Sequence, residues 1–139
     1  MNNHYFSVCG YGVATERRGS DSSVHATVEV RVAKRYISRG AAGVGPVHAL
    51  DCALRECLKH DFPEIADIRL SDYRVSVVDP AEGTGAKVHV QIRATDGTQT
   101  WDAGCVSDNI IDASFEALCS AAVLGIMRGR VDAPRESVA

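Results

Sequence analysis

Gly43-Val44-Gly45-Pro46-Val47-His48-Ala49-Leu50 is the stretch on which the fold turns. Two glycines close an extended segment, and Pro46 follows where proline is welcome, at the first position of a helix. Beyond it Val47, Leu50, Leu54, Cys57 and Leu58 recur at helical spacing, with Asp51, Arg55, Glu56 and Lys59 on the other face. A helix is therefore expected from Pro46 to about His60, stopped by Asp61-Phe62-Pro63. Upstream, Val24, Ala26, Val28, Val30 and Val32 alternate with His25, Thr27, Glu29 and Arg31, the pattern of a strand with one buried face. A strand-like stretch from Tyr5 to Ala14 precedes it, joined through Arg17-Arg18-Gly19-Ser20-Asp21, and a short strand is expected from Tyr36 into the glycine turn.

The second half repeats this plan. A strand is expected near Ile68 to Val78, then a turn at Asp79-Pro80-Ala81-Glu82-Gly83, then a strand with Ala86, Val88, Val90, Ile92 and Ala94 on one face. Asp96-Gly97 leads into a third strand holding Trp101 and Cys105. Ser107 or Asp108 is the expected N-cap of a last helix, whose apolar positions Ile111, Phe115, Leu118, Ala122 and Ile126 continue to Gly129. The expected fold is α+β: tandem βββα units over residues 1–129, antiparallel sheets with two helices packed on them, and a dimer covering the apolar face that remains. Residues 130–139 lack periodicity and are expected to form a flexible tail.

Composition narrows the partners. With 139 residues, 45% apolar and 24% charged, the chain has the profile of one soluble domain, and no run approaches the ~18 apolar residues of a membrane span. The net charge of −3 is mixed along the chain, which excludes a basic nucleic-acid surface. Met1 to Val8 has neither a basic start nor a long apolar run, so no secretion signal is expected. The five cysteines contain no Cys-x-x-Cys, so a reduced, cytoplasmic protein is expected. His4, His25, His60 and His89 show no metal-ligand spacing, and neither metal nor cofactor is expected.

The Gly43-to-Leu50 segment resembles the Gly-x-Gly-Pro-Val-Asp-Ala segment of the C-terminal regulatory, or dimerisation, domain of α-isopropylmalate and citramalate synthases. Three further stretches agree in order: Leu70-Ser71-Asp72-Tyr73-Arg74-Val75, then Gly83-Thr84-Gly85-Ala86-Lys87-Val88-His89-Val90, then Trp101 through Ser114. The resemblance implies a dimer of tandem βββα units that binds leucine, isoleucine or a related small acid at the interface. It puts the ligand's charged groups near Gly43, Gly45 and His48, and its side chain among Val47, Leu70, Tyr73, Val77 and Ile110. Val44 departs from the small polar residue common in the family, and His48 from its aspartate or alanine. The family's catalytic barrel is not among these residues, so a regulatory domain acting on a separate synthase subunit is expected, without synthase activity of its own.

The residues leave a second reading open. Imidazole titrates near neutrality, and His48 at the mouth of such a pocket, helped by Asp72 or Tyr73, would serve as acid or base in a small isomerase, cyclase or lyase. A vestigial, purely structural dimerisation module is the third.

Overall fold

The computed structural model describes residues 3–132. Strands β1 (Ser7–Arg18), β2 (Asp21–Val32) and β3 (Arg35–Ala42) form one antiparallel sheet in that order, followed by α1 (Pro46–Leu58). Strands β4 (Arg69–Val77), β5 (Val88–Thr95) and β6 (Thr100–Ser107) form a second, followed by α2 (Ile110–Asp132). The chain is thus α+β, a tandem of βββα units. Short 3-10 turns at Pro63–Asp67 and Pro80–Gly85 connect the later elements, the first of them where proline stops α1.

The two units correspond at one constant offset from the middle strand onward. Val24 matches Val88, His25 matches His89, Gly40 matches Gly104, and the helices begin at Pro46 and Ile110. Each first strand is bulged at the equivalent place, between Val8 and Gly10 and between Leu70 and Asp72. The correspondence extends to the second hairpin turn, where Ala33 (φ 54°) matches Gly97 (φ 94°). A left-handed alanine costs about 1–2 kcal/mol, and glycine gives back part of that through its looser unfolded chain. Ala33→Gly is therefore expected to stabilise the fold by about 0.5–1 kcal/mol, read as a raised urea midpoint.

One core joins both units. The inward row of β2, Ala26, Val28 and Val30, is fully buried with Leu50 and Leu58 of α1. Val90, Ile92 and Ala94 of β5 are buried with Phe115, Leu118 and Ile126 of α2. Each such aliphatic side chain contributes roughly 1.5–3 kcal/mol, so the alternation that marks these strands is also their main stabilisation.

Several boundaries differ from the sequence expectation. Helix α2 runs past Gly129 to Asp132, taking in the start of the expected tail; the remainder of that tail lies outside the described residues. Its N-cap is Asn109, whose Oδ1 accepts the N–H groups of Ile111 (3.0 Å) and Asp112 (3.1 Å), while Ser107 Oγ accepts the N–H of Asn109 itself. Ile110–Arg130 also reaches a mean hydropathy of 1.7, long and apolar enough for a membrane span where none was expected. In this fold Phe115, Leu118, Cys119, Ala122 and Ile126 of that stretch are buried in the core.

Candidate functional site

The glycine corner is built by close approach. Gly43 N–H donates to the Val24 carbonyl (3.2 Å), holding the chain beside β2. A Cβ on Gly43 would lie 2.4 Å from the Ala49 nitrogen and 2.7 Å from its Cα. Only glycine lets the end of β3 press on the first turn of α1. Gly45 caps that helix in extended conformation (φ −147°) without a side-chain hydrogen bond, and Pro46 has no N–H. Ala49 N–H reaches the Gly45 carbonyl (2.9 Å), but the N–H groups of Val47 and His48 have no acceptor among the described residues. The first turn also carries no acidic residue. At the matching place in the second unit Asn109 satisfies both equivalent donors. The first corner is therefore the open one of the pair, with helix-start donors suited to an anion.

His48 sits at the rim, exposed. Its Nδ1 accepts the Val44 N–H (3.0 Å), and its Nε2 lies 3.5 Å from Cys52 Sγ. Burial and the neighbouring Asp51 raise the Cys52 pKa, so the contact is to a thiol and not to an activated thiolate. Val44 is 92% exposed, and Val47 is half-buried beside the core.

The remaining predicted residues lie in the second unit. Tyr73, Val75 and Val77 form an apolar row along β4, 41%, 38% and 53% exposed, and Ile110 at the start of α2 is also exposed. The Tyr73 hydroxyl shares a hydrogen bond with Ser114 Oγ (2.8 Å), a side chain otherwise enclosed in the core. Leu70 lines a narrow crevice with Asp51 and Arg55 of α1 and Leu118 of α2. Asp72, one residue from Tyr73, faces the other way: it pairs with Arg74 (2.7 Å) beside an open depression of about 280 Å³ that His89, Gln91, Arg93, Asp102 and Gly104 also line. Neither cavity takes in the glycine corner, Tyr73, Val77 or Ile110. Within one chain His48, Asp72 and Tyr73 are not brought together as an acid–base set. Among the described residues no cluster of His, Cys, Asp or Glu has the arrangement of a metal site.

A polar cluster over α2 has no counterpart in the sequence reading. Tyr11 donates to Asp112 Oδ1 (2.9 Å) and stacks on Phe115, while Cys105 Sγ lies 2.8 Å from Glu116 Oε2. The i,i+4 pair Asp112 and Glu116 was its only visible sign. Burial first, then these carboxylates, push Tyr11 up to about 12 and Cys105 up to about 11, above the ordinary values of 10.0 and 9.0. The folded state holds these protons more tightly than the unfolded chain, so their stabilisation is complete below pH ~9 and is lost as pH rises toward 11–12. Thermal melts are expected to show a falling Tm above pH 9, with a shallower fall in Tyr11→Phe.

Residues 2–124 match the model of the LeuA allosteric (dimerisation) domain. The chain belongs to that family. Relatives of this LeuA dimerisation domain include the (R)-citramalate synthases of Geobacter sulfurreducens (39% identical over 116 residues, 82% of this chain and 22% of the relative) and Aquifex aeolicus (36% over 126 residues, 89% and 24%). That of Streptomyces coelicolor is 38% identical over 133 residues, 95% of this chain and 25% of the relative. The domain thus spans about a quarter of the length of the curated relatives it matches.

Proposed function

We propose that this LeuA dimerisation domain is a regulatory module that pairs with a second copy of itself, binds leucine, isoleucine or a related small acid at the α1 corner, and acts on a citramalate-synthase-type catalytic subunit. The observation that carries the reading is the uncapped start of α1. Val47 and His48 present two N–H donors beside glycines that let a carboxylate approach, while Asn109 closes the equivalent corner of the same chain. The apolar row of Tyr73, Val75 and Val77 supplies the wall that the corner lacks, offered by the second copy. Ligand held between two copies favours one arrangement of the pair, and differential contacts of this kind are worth about 1–3 kcal/mol of coupling. Five free thiols fit the reducing cytoplasm in which we place it.

A thermal-shift series with leucine, isoleucine, valine and their 2-oxo acids tests this reading. A side-chain-selective rise in Tm that vanishes in Tyr73→Ala is expected. No response to any of these acids would remove the sensing role and leave a dimerisation module alone.

A further inference from the structure

The outer face of the second sheet holds polar side chains that neither the core nor the α1 corner uses. On β5, Val90, Ile92 and Ala94 point into the core, so His89, Gln91 and Arg93 point away from it. Register places Asp72 of β4 and Asp102 of β6 on either side of Arg93, and Arg74 and Gly104 on either side of Gln91. These groups line the open depression of about 280 Å³, several times the ~30 Å³ share of one water molecule.

The two arginines are aimed but not consumed. Each is held by a single bond from Nε, Arg74 to Asp72 (2.7 Å) and Arg93 to Asp102 (2.9 Å). Arg93 in turn holds the Asp102 carboxyl below the usual carboxylate range, so that pair stays ionised near neutrality. No described residue engages the Nη groups of either arginine, nor the side-chain amide of Gln91. Arg74 and Arg93 are diagonal neighbours on adjacent strands, about 7–8 Å apart at their roots, so both forks can meet one small molecule.

The first sheet supplies an internal control. Gly10, Gly12, Thr27, Glu29 and Ser38 stand where the second sheet has Asp72, Arg74, Gln91, Arg93 and Asp102. What the two sheets share is a histidine lying on a glycine. A Cβ on Gly40 would sit 2.9 Å from His25 Cε1, and one on Gly104 3.3 Å from His89 Nε2. That packing belongs to the fold, whereas the paired arginines belong to the second unit alone. Stability does not account for them, because ion pairs this exposed contribute little.

We propose that this depression is a second small-molecule site, which takes a short-chain dicarboxylate with one carboxylate in each arginine fork. A guanidinium edge with two parallel N–H groups matches a planar carboxylate. A single tetrahedral anion fills only part of the space, and a monocarboxylic acid leaves one fork empty, which separates this ligand class from the branched acids of the α1 corner. Gln91, neighbour to both arginines, offers its amide to a hydroxyl or carbonyl on the linking chain. The site stands independently of the corner.

Isothermal titration calorimetry of the whole chain at low ionic strength tests this, with succinate, malate and glutarate against butyrate and inorganic phosphate. The best dicarboxylate is expected to bind about tenfold or more tightly than butyrate or phosphate, and to weaken as salt is raised. Arg74→Gln and Arg93→Gln are each expected to lose about tenfold or more in that affinity. In amide NMR of the wild-type chain the same titration is expected to move Gln91 and Gly104, which locates the site even if the variants do not fold. Phosphate or butyrate moving these two signals at the same concentration as the dicarboxylates overturns the proposal. So does dicarboxylate binding that both variants retain, or no saturable binding of any dicarboxylate; each of these outcomes leaves the reading of the α1 corner in place.

Discussion

Gly43→Ala is expected to cost about 3 kcal/mol and to lower the melting temperature by roughly 10 °C. The added methyl would lie 2.4 Å from the Ala49 nitrogen and 2.9 Å from its Cβ, and a helix backbone cannot rotate aside as a side chain can. Relief requires the end of β3 to move off α1, which spreads the corner and withdraws the N–H groups of Val47 and His48 from their common focus. Gly45→Ala is the control. Its added methyl meets nothing within 4 Å and its φ of −147° suits any residue, so stability is expected to change by less than about 0.5 kcal/mol. Equal urea midpoints for the two variants would show that the corner is loose and that Gly43 has no role in its close approach.

Trp101→Ala is expected to destabilise the second unit by about 3–5 kcal/mol. The indole is 4% exposed, donates through Nε1 to the Ala121 carbonyl (3.0 Å), and lies under the Arg128 guanidinium at 5.4 Å. Its ring edge fills the space that a Cβ on Gly125 would occupy, 2.7 Å from Cζ2. Truncation therefore leaves a void between β6 and α2 at a point where the helix has no side chain to fill it. Trp101→Phe keeps most of the volume and loses the hydrogen bond, so about 1–2 kcal/mol is expected. Urea denaturation of both variants reads the difference; an alanine variant no worse than the phenylalanine one would show that the site collapses freely.

The strands and helices were legible because one face of each is buried. The valines of β2 and the Leu50, Leu54 and Leu58 spacing of α1 record that burial directly in the sequence. The cap of α2 was not, because Ser107, Asp108 and Asn109 are all capping residue types and only geometry decides that Ser107 receives the Asn109 N–H while Asn109 receives the helix. The end of α2 was not legible either: Gly129 looks like a stop, yet a helix tolerates glycine for about 1 kcal/mol, and α2 continues to Asp132. At the candidate site, Gly43 was visible as a glycine, but its reason, contact with Ala49, depends on a packing that local sequence does not encode. The period-two alternation of β4 already separates Asp72 from Tyr73, and their opposite surroundings follow from it. Gathering the corner and the β4 row into one pocket needs the second copy that we propose.

Amide NMR of isotopically labelled protein during titration with the branched 2-oxo and amino acids tests the central claim most directly. The N–H signals of Val47 and His48 are predicted to move most, with Tyr73 and Val77 responding at the same ligand concentration. Shifts centred instead on the outer depression around His89, Arg93 and Gly104, with Val47 and His48 unmoved at saturation, would contradict the account.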